Sequence, residues 1–344
     1  MPSVSAKRGK LAFGLALGLF ATVGVQPAFA QTQYYIDAED RAAESDRPIA
    51  VIVPQEELAT SIQLGRIIPN EGGLLGALID RRPEKMAQNA AAKAYDFAKP
   101  LQDAMAGFDA RTLAMAATEQ LLSELGWFAK PQPQLLTGSS MAMTTANEVA
   151  ARGDTTVSMT FEIGYIGNEA NDTVGALNWN KERNRLEKEF AAAHSGAGEI
   201  AVISWRYQVS PNFTNMQVIA DIAIRPSGSD TRRFEQQFIS LVKLKRPTFV
   251  EEENVAIWAA NDGALAKQAL EMAFARAGEV LPTVLSLDKN GYRDATDKKK
   301  NPRATGGNFS GPQLMRDDKG PVLYAKDGDQ RLRAFVAVQT IDNQ

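Results

Sequence analysis

The stretch "NEGGLLGALID", residues 70–80, places three glycines in an otherwise apolar run, which makes it a candidate phosphate-binding loop. Such a loop aims backbone N–H groups at the phosphate and usually has a Lys, Ser or Thr directly after it. Leu and Ala follow Gly72, Gly73 and Gly76 instead, so no side chain is offered to a nucleotide. We interpret these glycines as a tight turn and a close backbone contact, with a partner-binding or membrane-touching loop as the alternative.

The only histidine, His194, lies beside Ser195, but a nucleophile and its base must meet through their side chains in the fold. His194 also follows a charged helical segment, where a partial positive charge suits the helix dipole. We therefore expect it to end that helix rather than to catalyse a reaction. One His and no Cys exclude cysteine nucleophiles and zinc sites built from those ligands, and we predict no metal site and no cofactor.

The acidic residues form no recognisable catalytic pair in the sequence. Glu251, Glu252 and Glu253 are consecutive, so they fan around a helix and complement the dipole at its start. Sites built only from carboxylates leave little local trace, so a hydrolase with paired Asp or Glu stays open as an alternative. The run "DKKKNPR", residues 297–303, is interpreted as a solvated loop rather than an anion site. "ATGGNFSGP", residues 304–312, is a candidate flexible ligand loop.

Trp205 and Tyr207 are two residues apart in a segment with strand character, so their side chains share one face. Such a pair can line a sugar-binding surface, although an aromatic stripe is more typical of a hydrophobic core. The candidate ligand- or partner-binding residues are therefore Gly72, Gly73, Gly76, Trp205 and Tyr207.

Several elements are predicted to position these residues in the first part of the chain. A short apolar run at 49–54 predicts a buried strand. Apolar residues at steps of three and four predict a helix over 84–108, and Asp109 can cap a second one. "NKERNRLEKEFAAAH", residues 180–194, predicts a charged helix with one apolar side.

The pattern changes to a period of two after residue 154, which predicts strands. The first covers 157–165, and "EIAVISWRYQV", "NMQVIADIAIR" and part of "RRFEQQFISLVKLK" predict an antiparallel meander. Helices are predicted again after Thr248 and after Asp262. The dipeptide at 327–328, Asp-Gly, predicts a turn between two final strands.

These elements predict an α+β fold with a helical N-terminal part and one early strand, followed by an antiparallel β-meander with packed helices. In chain order, the predicted organisation is a signal peptide at 1–30, a mainly helical α/β part at 31–130, a linker at 131–153, an antiparallel sheet plus helices at 154–287, a mobile loop at 288–320 and a C-terminal β-hairpin at 321–344.

The start of the chain carries the most specific signal in the sequence. Three basic residues precede an uncharged, mostly apolar run of fifteen residues, and "AFA" at 28–30 is a small-x-small pattern that a signal peptidase accepts. The apolar run is shorter than the ~20 residues that a spanning helix needs. We therefore predict a secretory signal that is cleaved before Gln31 and a periplasmic or secreted mature chain.

Removing this signal leaves about 314 residues with a formal charge of about −6, because three of the 38 basic residues lie in it. That overall balance gives no bias toward nucleic acid or anionic lipid. The chain contains no cysteine, so its stability must come from a buried core and not from disulfides.

The expected function is that of a non-enzymatic binding or envelope-assembly accessory protein, because a strong export signal accompanies no recognisable catalytic motif. The alternative is a hydrolase of cell-envelope glycan or peptidoglycan that uses paired Asp/Glu. The expected partner is an envelope protein or glycan. We expect no nucleic-acid partner and no transmembrane segment after signal cleavage.

Overall fold

In the computed structural model of the protein, the residues described below belong to one compact unit, Thr32–Gln344. The described residues are 32–37, 41, 46–55, 58–60, 98–125, 132–137, 176–210, 212–326 and 333–343. The predicted signal peptide, the glycine run at 70–80 and the predicted strand at 157–165 lie outside them.

Ten strands of the described residues form one sheet. In chain order they are β1 (Ile49–Ile52), β2 (Ala59–Thr60), β3 (Pro133–Leu136), β4 (Glu199–Val209), β5 (Asn215–Pro226), β6 (Phe234–Leu244), β7 (Arg303–Gly306), β8 (Phe309–Asp317), β9 (Gly320–Lys326) and β10 (Arg333–Ile341). Their order across the sheet is β3-β1-β4-β5-β6-β10-β9-β8-β7, and β2 pairs with β4.

The predicted strands of the meander are confirmed, since β4 pairs with β5 and β5 with β6 in antiparallel orientation. The two final strands are confirmed as well, because β9 and β10 form an antiparallel pair. The sheet as a whole is mixed, which corrects the purely antiparallel prediction: β1 is parallel to β3 and β4, and β10 is parallel to β6. Alternation within a segment predicts a strand, but it does not identify a parallel neighbour that is distant in sequence.

The described part of the N-terminal third differs from the mainly helical unit predicted for it. Residues 98–104 and α1 (Ala110–Glu124) are helical, and Asp109 accepts a hydrogen bond of 3.1 Å from the backbone N–H of Thr112, as its predicted capping role requires. However, β1 and β2 both belong to the same sheet as the later strands. β3, which falls in the predicted linker, lies beside β1 in that sheet.

One face of the sheet is covered by α1 and by α3 (Glu251–Leu285). Large strand residues such as Trp205 and Phe238 are buried there with Leu121 of α1 and Phe274 of α3. We call this side the helix face. It holds the main hydrophobic core of the described residues.

Helix α3 consists of two helical stretches joined by a break at residues 260–263. Asn261, Asp262 and Gly263 have φ angles of 53°, 54° and 71°, a left-handed conformation that these residue types tolerate best. A Cβ atom at Gly263 would lie 3.1 Å from the carbonyl oxygen of Ala104. The break therefore lets the second stretch, predicted after Asp262, start at a close contact with the helix at 98–104.

The opposite face of the sheet is covered in two places. On one side, α2 (Ala176–Ala193) packs Leu186 and Phe190 on β1 and β4. On the other, the β7–β8 hairpin places Ala304 and Phe309 on β6, β9 and β10. We call this side the mixed face, since polar strand residues lie between its two apolar clusters.

Residues 288–320 are predicted as a mobile loop, but they contain α4 (Lys289–Thr296), β7 and β8. The candidate ligand loop at 304–312 is the β7–β8 hairpin itself. A Cβ atom at Gly306 would collide with the Val338 side chain, and one at Gly311 with the backbone carbonyl of Tyr324. The glycine content of this segment is typical of a flexible loop, but here the glycines allow the hairpin to pack directly on the sheet.

Candidate functional site

Helix α2 brings charged side chains into the space between itself and the sheet. Its apolar residues Leu186 and Phe190 are four residues apart and buried. Arg183 and Glu187 lie on the same stripe of the helix and are also buried, at 7 % and 3 % exposure. Burying the apolar residues therefore draws both charges out of water, and each then needs a partner from the sheet.

Glu187 is held by two arginines from the other side of this interface. Its carboxylate oxygens lie 3.5 Å from Nη1 of Arg225 and 3.2 Å from Nη2 of Arg232. Arg232 donates a second hydrogen bond of 2.6 Å to Glu235, and Arg225 lies 3.7 Å from Asp230. The negative charge of Glu187 is therefore matched by guanidinium groups from β5 and the β5–β6 connection.

Asp221 of β5 forms the second part of this arrangement. It lies 3.9 Å from Nη1 of Arg183 and accepts a hydrogen bond of 2.7 Å from the Gln237 side chain. Burial lowers the pKa of Arg183, and the Asp221 charge opposes that effect. Burial also acts to lower the pKa of Arg232, but the nearby carboxylates, with Glu187 foremost, outweigh it and raise the pKa. We call Arg183, Glu187, Asp221, Arg225 and Arg232 the charged layer.

A separate pair of arginines holds Glu199 at the start of β4. Arg233 binds both carboxylate oxygens, at 2.5 and 2.8 Å, and Arg47 reaches one of them at 3.2 Å. Burial acts to raise the pKa of Glu199, but the hydrogen bonds and positive charges of the two arginines outweigh burial and hold the pKa below its usual value. Glu199 therefore joins the segment before β1 to the β5–β6 connection.

The charged layer brings a buried carboxylate, Glu187, and a partly buried one, Asp221, into contact with arginine side chains, and sequence reasoning missed it. Its signal was nevertheless present, because Arg183 and Glu187 share the helical spacing of Leu186 and Phe190. The sequence predicted a charged helix over residues 180–194 with one apolar side, but not that charged residues share that side. The spacing of its charged residues relative to its apolar ones was the informative feature.

The predicted aromatic residues lie inside the helix face. Trp205 and Tyr207 are 0 % and 1 % exposed. The Trp205 indole donates a hydrogen bond of 3.0 Å to the Thr118 hydroxyl, and its ring lies 5.6 Å from that of Phe274. The Tyr207 ring meets the Phe108 ring edge-on at 5.8 Å. They occupy core positions, so a binding role for them stays a prediction with no exposed face to support it.

The remaining candidate residues are the three glycines and His194. Gly72, Gly73 and Gly76 lie outside the described residues, so their role also stays a prediction. His194 directly follows α2, and its Nδ1 donates a hydrogen bond of 2.9 Å to the carbonyl oxygen of Phe190. The two rings lie 4.2 Å apart. His194 thus lies at the helix end, as predicted, and bonds with the helix backbone.

Phe249 and Val250 are the large apolar side chains that the described part of the chain leaves exposed, at 103 % and 46 %. They lie in a fixed turn before α3. The Thr248 hydroxyl accepts a hydrogen bond of 3.1 Å from the Val250 N–H and donates one of 2.8 Å to the Val250 carbonyl. The Asn254 side chain binds both the N–H and the carbonyl of Thr248, at 2.9 and 3.1 Å. The exposed phenyl ring is therefore presented by an ordered backbone.

Comparison with known proteins found no matching family model, no matching curated protein and no matching solved structure. Within the described residues, no group of three or more acidic or histidine side chains is placed to hold a metal ion. In the same part of the chain, every helix is too short or too polar to cross a lipid bilayer.

Proposed function

We propose that the protein is an exported, non-enzymatic binding or envelope-assembly accessory protein that works in the periplasm or outside the cell. The observation that carries this proposal is the charged layer, in which Glu187 and Asp221 are each paired with arginine. The carboxylate oxygens of both residues contact arginine or glutamine side chains of the same chain. Carboxylates held in this way by partners within the protein suit a structural role better than that of a glycosidase pair, which must face a substrate.

The contacts of the first described residues are compatible with the proposed cleavage before Gln31. Gln33 forms a parallel bridge with Phe234 and accepts a hydrogen bond of 2.9 Å from the N–H of Glu235. The Tyr34 ring stacks on that of Tyr292 at 6.4 Å. A chain that starts at Gln31 retains all of these contacts, so removal of the signal is compatible with the fold.

The Phe249 turn gives this proposal a place to be tested. A fully exposed aromatic ring on an ordered backbone has the properties of an interface anchor, because little conformational entropy is lost when it is covered. The proposed partner is an envelope protein or glycan, and a protein partner would cover this ring.

The experiment replaces Phe249 with the photoreactive residue p-benzoylphenylalanine, which keeps an aromatic ring at this position. Irradiation of cells that export the variant should give a discrete cross-linked species in the envelope fraction. The matched control carries the same residue at Gln268, an exposed position of α3, and should not give that species. Identical products from both positions, or none from Phe249, would argue against a partner at this turn.

The hydrolase alternative is tested with the purified protein and isolated peptidoglycan. Under the binding-protein proposal no soluble fragments are released. Release that disappears in Glu187→Gln, while the variant keeps the circular dichroism spectrum of the parent, would establish hydrolysis and overturn the proposal.

A further inference from the structure

An exposed basic surface lies at α4 and in the turn that follows it. Residues 288–303 contain six basic and three acidic residues, whereas the whole chain has a formal charge of −3. All six basic side chains are exposed. We call this set the basic turn; its members are Lys289, Arg293, Lys298, Lys299, Lys300 and Arg303.

The backbone that carries these lysines is held by a dense set of hydrogen bonds. The Asn301 side chain donates to the carbonyl oxygens of Asp294 and Asp297, at 2.6 and 3.2 Å. The carboxylate of Asp297 accepts a hydrogen bond of 2.8 Å from the N–H of Lys299. This turn is therefore a built feature that fixes where the lysine stems leave the backbone.

Positive charge remains in excess after the local acids are counted. One carboxylate oxygen of Asp294 is shared by Lys300 Nζ, at 2.8 Å, and Arg293 Nε, at 3.7 Å. The carboxylates of Asp288 and Asp297 both accept backbone N–H groups. Among the described residues, Lys298 and Lys299 form no ion pair, so the turn presents uncompensated ammonium groups to solvent.

We infer that the basic turn docks the exported protein on an anionic bilayer through the phosphate-bearing headgroups of its phospholipids. Four of the six cations are lysines, compact hydrated charges on flexible stems that suit diffuse attraction to a fluid surface better than bidentate recognition. None of the large apolar side chains exposed in the described residues lies in this turn. Binding is therefore electrostatic, without insertion into the hydrocarbon core.

This inference rests on the proposed export, because it places the turn where it meets membrane surfaces. A net negative chain predicts no attraction to anionic lipid, but the range of electrostatic attraction is about a Debye length, roughly 8 Å at physiological salt. At that range, attraction to the membrane depends on the charge of the protein surface that lies closest to it, and not on the net charge of the whole chain.

The experiment measures co-sedimentation of the purified, signal-free protein with vesicles of phosphatidylethanolamine containing about 30 % phosphatidylglycerol, and with vesicles of phosphatidylcholine alone. Binding is expected to the anionic vesicles only and to disappear in high salt. Lys298→Gln with Lys299→Gln should lower the partition coefficient about fivefold per lysine. Both changes spare Asp297 and Asn301, which build the turn.

The matched control is Lys188→Gln with Lys326→Gln, which removes the same charge from two exposed lysines on α2 and β9. It should keep most of the binding. An equal loss in both double variants, or no binding by the parent protein, would overturn the inference. So would displacement by millimolar inorganic phosphate, which indicates a discrete phosphate pocket, or binding of a soluble anionic polysaccharide through the same lysines without binding to vesicles. None of these outcomes bears on cross-linking at Phe249, so the two proposals fail separately.

Discussion

The two faces of the sheet are stabilised in different ways. On the helix face, strand residues such as Trp205 and Phe238 pack with α1 and α3 in one continuous core. On the mixed face, one apolar cluster lies under α2 and a second under the β7–β8 hairpin. The charged layer lies at the α2 side of that face. One sheet therefore combines a surface fixed by apolar packing with a surface fixed partly by ion pairs.

This difference teaches that polar alternation along a strand does not identify a solvent-exposed face. Ser204, Arg206 and Gln208 alternate with apolar residues of β4, which is the pattern of a strand with one face in water. Yet their exposures are 2 %, 8 % and 1 %. The side chain of Gln208 donates a hydrogen bond of 2.9 Å to that of Gln217 on β5. This bond joins two buried side chains of neighbouring strands, although the Oε1 atom of Gln208 accepts no hydrogen bond from the described residues.

The largest expected effect belongs to the helix face. Trp205→Ala removes a fully buried indole and leaves a cavity beside Phe274, so the free energy of unfolding should fall by about 3–5 kcal/mol. Denaturation in urea measures this loss. Trp205→Phe keeps one aromatic ring and removes the second ring of the indole together with the hydrogen bond to Thr118, so its loss should be smaller. A loss under about 1 kcal/mol for the alanine variant would contradict the core role assigned to Trp205.

On the mixed face, Glu187→Gln should lower the free energy of unfolding by about 2–3 kcal/mol. The change leaves the buried Arg225 with the exposed Asp230 as its remaining carboxylate and with the backbone carbonyl of residue 187 at 3.5 Å, and a buried charge that loses its close ionic partner is costly. The control is Glu189→Gln on the same helix, whose ion pair with Arg185 is exposed. That control should cost no more than about 0.5 kcal/mol.

A double variant sharpens this comparison between the faces. Glu187→Met combined with Arg225→Met removes both charges, and apolar replacement of a buried ion pair is often neutral or stabilising. The double variant should therefore be more stable than Glu187→Gln alone. If it is less stable, the charged layer contributes more to the free energy of unfolding than the attraction between Glu187 and Arg225. Ion pairs would then matter more on the mixed face than this comparison of the two faces assumes.

The β7–β8 hairpin, which covers part of the mixed face, should be destabilised by a single added methyl group. Gly311→Ala places a Cβ atom against the Tyr324 carbonyl, and such overpacking should cost about 1–3 kcal/mol. Gly228→Ala is the control, because a Cβ atom there meets nothing within 4 Å. Thermal denaturation of both variants tests whether the β7–β8 hairpin is packed as closely as its glycines indicate. Equal melting temperatures would contradict that packing.

Local patterns predicted much of the fold, and long-range pairing set the limit. The alternation within 199–209 and 215–225 predicted β4 and β5, and Asp109 predicted the start of α1. The parallel partners of β1 and β6 could not be predicted, since no local pattern records which distant strand lies alongside. The segment 288–320 was misjudged because glycine is common both in flexible loops and where two backbones pack closely.

The candidate sites could also be predicted only as far as local patterns reach. Trp205 and Tyr207 were found as a pair on one strand face, but burial depends on helices that come from other parts of the chain. The charged layer was missed because its partners lie on α2, β5 and the β5–β6 connection. Only Arg183 and Glu187 are neighbours on one helix, and their spacing does not identify the distant residues that pair with them.

The smallest expected effect is a change in the pH dependence of stability at Glu199. Its pKa is lower in the folded protein than the usual value of 4.5, so the unfolded chain binds the proton first as the pH falls. The stability that Glu199 contributes is therefore fully present above about pH 4.5 and is lost as the pH falls through the folded pKa. Urea midpoints measured between neutral and acidic pH should fall less steeply for Glu199→Gln than for the parent protein. Arg233→Gln should flatten the profile in the same direction, because it removes the partner that binds both carboxylate oxygens. If both variants keep the parent profile, the ion pairs of Glu199 do not contribute to the acid sensitivity of the fold.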